Sequence, residues 1–233
     1  MIKALLWDVD GTLMDFQAAE REAMKTCTKL LGLPPLADEE IAIYSQINDR
    51  YWKRLERGEI TKQEVLVGRF VEFFALRGLT CGREVAEAFN KEYQVRLGDT
   101  ICYNDDSYEL VRALRGTVKQ YAVTNGTAKA QERKMKNSGF GALMDGVFIS
   151  DQIGCEKPGK GFFDHVFANI PAFDRREIMI VGDSLTSDIR GGNGVGIVAC
   201  WYNPRAKENT PGEHVDYEIR SLSEIPALLK TAT

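Results

Sequence analysis

The chain has 233 residues, of which 44% are hydrophobic and 27% are charged. This composition is close to the average for soluble globular proteins, so it excludes a disordered or a fibrous polypeptide. The net charge of −4 gives no bulk electrostatic attraction to polymeric nucleic acid or to an anionic membrane, and we expect neither as a partner. These quantities do not indicate an oligomeric state.

Cysteine and histidine usage argues against several kinds of site. The cysteines are scattered and form no C-x-x-C pair, so they predict reduced thiols, mostly in the core, and not a zinc or redox centre. They are Cys27, Cys81, Cys102, Cys155 and Cys200. The histidines, His165 and His214, are too few to favour a serine-histidine triad or a multi-histidine metal site. No apolar run reaches the roughly 18 residues of a membrane span, so we expect a cytoplasmic protein.

Short apolar segments alternate with helical patterns along the chain. They cover residues 3–7, 120–123, 146–149, 178–181 and 195–202. Such continuous apolar runs are typical of parallel strands whose two faces are both covered by helices. The sequence therefore predicts an α/β fold built on a parallel sheet.

A long insertion separates the first two predicted strands, because roughly a hundred residues lie where a crossover connection needs far fewer. Its pattern predicts helices over residues 17–31, 38–57, 61–77 and 84–97. Three of these helices are followed by glycine, at Gly32, Gly58 and Gly78, and Thr61 with Glu64 forms a capping box. We predict an α-helical cap of four-helix-bundle type over 16–97, inserted into a catalytic core formed by 1–15 and 98–233.

Polar side chains follow each predicted strand, at the edge where open parallel sheets bind ligands. Asp8 and Asp10 stand two residues apart after the first strand, so their side chains point the same way. The later strands are followed by Thr124, Lys157, Asp183 and Asp188. A hydroxyl, a cation and several carboxylates at one edge are the groups that phosphoryl transfer uses.

The chemistry of these groups suggests a role for each. Carboxylates that converge on one cleft repel each other unless a hard cation neutralises them, so we expect Mg²⁺ as the cofactor. Asp8 would attack phosphorus, and Lys157 with Mg²⁺ would offset the charge of the phosphoryl oxygens. Asp10 would protonate the leaving oxygen and then activate water. Thr124 and the backbone N–H groups from Asn125 onward would bind the phosphate.

Taken in order, these residues resemble the signature motifs of the haloacid dehalogenase superfamily of phosphohydrolases. The matching segments are DVDGTL at 8–13, VTNG at 123–126, EKP at 156–158 and GDS at 182–184, followed by Asp188. The resemblance covers essentially the whole chain. It implies a Rossmann-like core with helices on both faces of the sheet and a helical cap inserted after the first motif.

The resemblance also implies a ligand set and a type of reaction. Mg²⁺ would be held by Asp8, by the backbone carbonyl of Asp10 and by Asp183, while Asp188 would support the metal shell or orient Lys157. Phosphatases of the superfamily keep an acid at the position of Asp10, and dehalogenases lack it. The chain thus resembles the phosphatases, which form an aspartyl-phosphate intermediate.

The substrate is predicted from the cap and from one late segment. Residues 51–52, 58–61, 68–70 and 200–203 resemble the YjjG-like 5′-nucleotidases of this superfamily, which implies a small phosphorylated metabolite, a nucleoside 5′-monophosphate, as substrate. Independently, Asn48, Tyr51 and Trp52 share one predicted helical face with Tyr44. This face either stacks a nucleobase or forms bundle core. Arg69 is expected either to reach a ligand or to be solvated.

Other functions share parts of this pattern. A sugar-phosphate phosphatase or a phosphomutase of the same superfamily would keep both Asp8 and Asp10. A phospho-accepting receiver module also combines aspartates, a hydroxyl and a lysine with Mg²⁺, but it needs no long helical insertion. Such an insertion is typical of a lid that excludes water from a reacting site. An inactive scaffold is disfavoured by the complete set of reactive groups.

Overall fold

A computed structural model describes residues 1–79, 82–210 and 212–231. Within these ranges, six parallel strands form one sheet with the order β3-β2-β1-β4-β5-β6. The strands are β1 (Ala4–Trp7), β2 (Lys119–Thr124), β3 (Gly146–Ile149), β4 (Ile178–Gly182), β5 (Val198–Tyr202) and β6 (Tyr217–Ile219). This is the order of doubly wound Rossmann folds, so the predicted fold class is confirmed.

Helices form the connections between the strands. They are α1 (Phe16–Leu30), α2 (Asp38–Glu56), α3 (Lys62–Leu76), α4 (Arg83–Asp99), α5 (Ser107–Leu114), α6 (Ala128–Asn137), α7 (Phe140–Leu143), α8 (Ser150–Ile153), α9 (Lys160–Ala168), α10 (Arg190–Val195) and α11 (Ile225–Thr231). A π-helical turn over Leu185–Ile189 precedes α10. Across the described ranges, no helix combines the length and the apolar character needed to cross a membrane.

The alternation of side chains along the strands builds an apolar layer on each face of the sheet. In β1, Leu5 and Trp7 point to a layer that includes Val111 of α5 and Ile225 of α11. Ala4 and Leu6 point to the opposite layer, which is completed mainly by α9. Because helices cover both faces of the sheet, a ligand can reach the sheet only at the edge where the strands end.

The helices α1 to α4 share an apolar cluster, which Ala130 of α6 also joins. At its centre the Tyr44 ring stacks on Phe70 with centroids 5.1 Å apart, and Tyr93 meets Phe70 edge-on at 5.2 Å. The helices predicted for this insertion are therefore present and packed together. A separate core is what an inserted cap requires, while the division at 16–97 stays a prediction.

The predicted start and stop signals of these helices have the expected geometry. Thr61 accepts from the backbone N–H of Glu64 at 3.3 Å, and the Glu64 carboxylate accepts from the N–H of Thr61 at 2.7 Å, which forms the capping box. Gly32, Gly58 and Gly78 have φ of 63°, 70° and 69°. That left-handed conformation favours glycine and ends a helix.

Polar contacts hold the helical insertion over the end of the sheet. On one side Thr127 donates to Gln94 of α4 at 2.6 Å. On the other side Lys62, at the start of α3, pairs with Asp151 at 3.2 Å and with Glu156 at 3.0 Å. The space enclosed between these contacts lies above the carboxyl ends of the strands.

The structure corrects one strand and adds another. We predicted strand from residue 195, but Val195 ends α10 and Gly196 follows it with a φ of 74°, so the chain turns before β5 begins at Val198. Strand β6 was not predicted, because it spans three residues and includes Glu218. Its backbone pairing with β5 extends the sheet.

The cysteines were predicted to be reduced thiols that lie mostly in the core. Cys27 and Cys200 are buried, Cys102 is half-buried, and all three are free. Cys155 is free and exposed; the sequence predicted a core position for most of the thiols and not for each of them. Cys81 lies outside the described residues.

The aromatic cluster gives a test of the packing. Phe70 is fully buried, whereas its neighbour Val71 is 38% exposed. We expect Phe70→Ala to lower the free energy of unfolding by about 3–5 kcal/mol, since it removes a large ring from a closed core. Val71→Ala should change the same quantity by less than about 0.5 kcal/mol. Chemical denaturation of both variants is the measurement, and similar losses in the two would contradict this packing.

Candidate active site

The strands β1 and β4 mark the point where the direction of winding reverses, because β1 pairs with β2 on one side and with β4 on the other. Doubly wound sheets bind ligands in the crevice at this point. A cleft of about 680 Å³ opens there, with the strand ends as its floor and α1 to α4 as its roof. All of the predicted catalytic residues line this cleft: Asp8, Asp10, Thr124, Asn125, Lys157, Asp183 and Asp188.

A buried ammonium group joins the strand ends at the floor. Lys157 Nζ donates to Asp8 Oδ1 at 2.8 Å, to Asp188 Oδ1 at 2.6 Å and to the Val123 carbonyl at 2.8 Å. These acceptors use all three donor protons of the ammonium. Burial alone would lower the pKa of Lys157, but the two carboxylates outweigh it and raise that pKa above its ordinary value. Lys157 is therefore a fixed positive charge.

Three carboxylates, those of Asp8, Asp183 and Asp188, crowd the same place, with one oxygen of each within 4.8 Å of the others. Burial raises the pKa of Asp8 to about 7, and the charge of Asp188 adds to the shift, while Lys157 opposes it. Burial and the charge of Asp8 raise the pKa of Asp183 to about 7 as well. Such mutual repulsion between hard oxygen donors is relieved by a divalent cation, and the set suits Mg²⁺.

The oxygens of Asp188 are already engaged by the protein. Lys157 donates to Oδ1, and the backbone N–H of Ser184 donates to Oδ2 at 3.2 Å. Of the two roles implied for Asp188, this arrangement favours orienting Lys157 over direct metal ligation. Within the described ranges Asp183 forms no ion pair, so it is the better ligand.

Two motif side chains, Thr12 and Asn125, connect the groups of the floor. Thr12 Oγ1 donates to Asp8 Oδ2 at 3.0 Å and accepts from the backbone N–H of Asp183 at 3.1 Å. Asn125 donates to the Lys157 carbonyl and accepts from the Lys157 N–H, both at 2.8 Å. The side-chain amide of Asn125 thus fixes the segment that carries Lys157. Only the backbone N–H of Asn125 is left for the predicted phosphate contact. The sequence singled out neither of these contacts.

A close approach explains the glycine of the first motif. Gly11 has a φ of 95°, and a Cβ added there would lie 2.7 Å from Asp183 Oδ1. The loop after β1 therefore reaches under the Asp183 carboxylate only because residue 11 has no side chain.

Asp10 is held differently from Asp8. Its side chain is 22% exposed to the cleft, and it accepts from Gln131 Nε2 at 2.7 Å and from Lys134 Nζ. Both partners come from α6, and the sequence analysis missed them. Their i, i+3 spacing after the VTNG segment is the signal that was available.

The predicted substrate-binding residues of α2 separate into two groups. Trp52 and Asn48 line the cleft. Tyr51 lies outside the cleft lining, packed so closely on α3 that a Cβ at Gly68 would meet its ring at 2.7 Å. Tyr44 belongs to the aromatic cluster. The bundle-core interpretation therefore describes Tyr44 and Tyr51, and the ligand interpretation is left to Trp52 and Asn48.

A buried polar network lies beneath this part of the cleft. Asn48 donates to Glu20 Oε1 at 3.0 Å and accepts from Arg69 at 2.6 Å. Arg69 is 1% exposed, so the expectation that it is solvated is wrong. Burial raises the pKa of Glu20, although the hydroxyl of Ser45 and the charge of Arg69 oppose the shift. Glu20 and Arg69 also line the cleft. For Arg69 this was one of the two expectations, whereas the sequence analysis did not single out Glu20.

The late segment that resembles the nucleotidases also supports the floor. Trp201 Nε1 donates to the Asp183 carbonyl at 3.0 Å. The buried Asn203 side chain binds both the N–H and the carbonyl of Lys207, at 2.9 and 3.0 Å. This clamp folds a loop that brings Arg205 and Lys207 to the mouth of the cleft.

Comparisons with known proteins agree with this geometry. A family model of the haloacid dehalogenase-like hydrolases matches residues 2–196. The HAD-hydrolase YfnB of Bacillus subtilis is 35% identical, over 97% of this chain and 95% of that protein. Its crystal structure, bound to magnesium, covers 98% of both chains with a TM-score of 0.92.

Two further relatives have named activities. The pyrimidine 5′-nucleotidase PynA of Streptococcus pneumoniae is 34% identical, over 96% of this chain and 93% of that protein. The pyrimidine 5′-nucleotidase YjjG of Escherichia coli is 27% identical, over 82% of this chain and 83% of that protein. The match of the family model and the likeness to YfnB confirm the resemblance seen in the motifs: the chain is an enzyme of the haloacid dehalogenase-like hydrolase family.

Proposed function

We propose that this hydrolase is a Mg²⁺-dependent phosphatase that removes phosphate from nucleoside 5′-monophosphates through an aspartyl-phosphate on Asp8. One observation carries the proposal. The carboxylate of Asp8 is held between Lys157 and Thr12 at the floor of the cleft, next to a second acid, Asp10, that is held separately.

Each half-reaction can be assigned to these side chains. An oxygen of Asp8 forms a bond to phosphorus while the ester bond breaks, and the leaving oxygen takes a proton from Asp10. Water then attacks the phosphorus of the aspartyl-phosphate, its proton returns to Asp10, and inorganic phosphate leaves Asp8. Lys157 keeps its positive charge beside the phosphoryl group throughout, and Thr124 with the following N–H groups would bind the phosphoryl oxygens.

The metal is the part of the proposal that the acidic cluster supports. Asp8, Asp183 and the backbone carbonyl of Asp10 would hold Mg²⁺, with Asp188 orienting Lys157. Bound Mg²⁺ offsets negative charge on the phosphoryl oxygens and favours attack by an anionic nucleophile. The YfnB crystal structure, which is bound to magnesium, supports this assignment.

The substrate class is supported by the cleft and by the relatives. Trp52 presents an aromatic ring to the cleft, and Asn48, Glu20 and Arg69 place buried polar groups beside it. A ring for stacking beside polar groups for hydrogen bonding suits a nucleobase. The relatives PynA and YjjG are pyrimidine 5′-nucleotidases, so we propose a pyrimidine nucleotide as the preferred ligand.

We also propose that residues 16–97 act as a cap that closes over the core formed by 1–15 and 98–233. Their separate apolar cluster supports this division. The YfnB crystal structure reveals interdomain movement, as expected of a protein with such a cap. Closure would exclude water while phosphorus is attacked by Asp8.

The proposal is tested by phosphate release from nucleoside monophosphates, sugar phosphates and p-nitrophenyl phosphate, each with and without Mg²⁺. We expect Mg²⁺-dependent release that is highest with pyrimidine monophosphates and that vanishes in Asp8→Asn, because the amide is not a nucleophile. Highest activity on sugar phosphates would overturn the substrate class. Retained activity in Asp8→Asn would overturn the mechanism, and an isomerised sugar phosphate without free phosphate would indicate a phosphomutase.

The role of Trp52 is tested by Trp52→Ala. Loss of stacking should raise KM for a pyrimidine monophosphate by about 5- to 150-fold, since one stacked base contributes about 1–3 kcal/mol. KM for p-nitrophenyl phosphate and the value of kcat should change little. Tyr51→Ala is the matched control, because its ring lies outside the cleft lining. Equal effects of Trp52→Ala on both substrates would argue against stacking.

The close approach at Gly11 gives a test of the metal site. Gly11→Ala should weaken Mg²⁺ binding by about 10- to 100-fold, because the new methyl group displaces the Asp183 carboxylate. Gly32→Ala is the control: its φ is also positive, at 63°, but a Cβ there meets nothing within 4 Å. It should lose stability without losing Mg²⁺ affinity. Calorimetric titration measures the Mg²⁺ affinity of both variants. Unchanged binding in Gly11→Ala would remove Asp183 from the ligand set.

A further inference from the structure

Two neighbouring side chains of α6 grip both oxygens of Asp10. Gln131 Nε2 donates to Oδ2 at 2.7 Å, and Lys134 Nζ donates to Oδ1. Because they stand three residues apart on a helix, they present their polar ends to the same point. The carboxyl group is thereby fixed at two atoms and not at one.

Both donors are buried at a free-energy cost that an apolar residue would avoid. Gln131 and Lys134 are each 1% exposed. Within the described ranges, Asp10 is the one acid at ion-pair distance from Lys134, whose ammonium also lies 5.5 Å from the centre of the Phe16 ring. A buried ammonium is expensive unless it is paired, and an apolar side chain of similar size would pack there without that cost. The pair is therefore better explained by what it does to Asp10 than by stability.

The amide of Gln131 is oriented toward Asp10. Its Nε2 donates to the Asp10 carboxyl group, while its Oε1 is buried and receives no hydrogen bond from the described part of the chain. An amide carries a donor on one side and an acceptor on the other. The donor of Gln131 is therefore used for Asp10, although its acceptor is left without a partner in the same part of the chain.

The second motif makes room for this amide. A Cβ added at Gly126 would lie 2.1 Å from Gln131 Nε2. Any side chain at residue 126 would therefore push Gln131 away from Asp10. Gly126 of the VTNG segment therefore does more than offer its backbone N–H: its lack of a side chain leaves room for Gln131. The predicted phosphate-binding turn and the support of Asp10 are linked in this way.

We propose that Gln131 and Lys134 are positioning residues that aim the Asp10 carboxyl group at the leaving oxygen and then at the attacking water. The inference rests on the proposed function, in which Asp10 serves as acid and then as base. A carboxyl group held at both oxygens loses little freedom on reaching the reactive geometry, whereas an unsupported one must find it among several rotamers.

Leaving groups of different acidity test the proposal. An alkyl ester such as uridine 5′-monophosphate needs a proton on its leaving oxygen, but p-nitrophenolate leaves without one. We expect Lys134→Met and Gln131→Leu to lower kcat/KM for uridine 5′-monophosphate about 10-fold more than for p-nitrophenyl phosphate, because general acid catalysis is lost selectively. The quantity kcat/KM covers only the steps through phosphoryl transfer to Asp8, so the later hydrolysis does not mask the difference.

Three further variants separate positioning from a merely structural role. Lys136→Met makes the same change on an exposed residue of α6 and should leave both substrates unaffected. Lys134→Arg keeps the charge and should recover part of the lost selectivity. In an Asp10→Asn background, Lys134→Met should add less than about 2-fold, because residues that act as a unit are not additive.

The outcomes distinguish this inference from the function on which it rests. If Asp10→Asn itself lowers kcat/KM equally for both substrates, the acid role of Asp10 is wrong, and the proposed function is wrong with it. If Asp10→Asn is selective for the alkyl ester but Lys134→Met and Gln131→Leu are not, only the positioning role is overturned. Full additivity with Asp10→Asn would also overturn it. Because Gln131→Leu adds no charge and removes none, it remains informative if Lys134→Met does not fold.

Discussion

The site depends on one buried cation that several buried acids share. Lys157 binds Asp8, Asp188 and the Val123 carbonyl, which places it between the ends of β1, β2 and β4. Without this ammonium, two carboxylates would lie uncompensated in the interior, a situation that proteins avoid. The other contacts of the floor follow from it, since Asn125 fixes the lysine backbone. The carboxylates of Asp8 and Asp188 can approach each other because this charge lies between them.

The helical insertion contains a buried polar network. The location of this network has a different explanation from that of Lys157. Asn48 links Glu20 to Arg69 through hydrogen bonds beside an aromatic cluster. Apolar residues would stabilise a four-helix bundle equally well, because paired buried charges add little net stability. The network lies on the side of the cluster that faces the cleft. This location is consistent with the proposed role of these groups in binding a ligand. Trp52 lies beside them and forms the apolar part of the same surface.

The sequence predicted what is local and missed what depends on packing. Strand-end chemistry is local, so Asp8, Thr124 and Lys157 could be placed in one cleft from the pattern of strands alone. Helical periodicity could not separate Tyr51 from Trp52, because adjacent residues project about 100° apart and neighbouring helices decide which one faces the cleft. Gln131 and Lys134 were missed because polar helix residues are ordinarily solvated. Strand β6 was too short and too polar for its pattern to stand out.

The two acids of the first motif illustrate how neighbouring residues of one type can differ in role. Asp8 lies against Lys157 and Thr12, on groups that belong to the ends of the strands, and it is almost fully buried. Asp10 is held by α6 and stays partly open to the cleft. Because the supports are separate, the proton transfer proposed for Asp10 would not disturb the groups that hold Asp8. The proposed mechanism needs a nucleophile and an acid that work in sequence, and environments set by different elements of the fold allow this two residues apart.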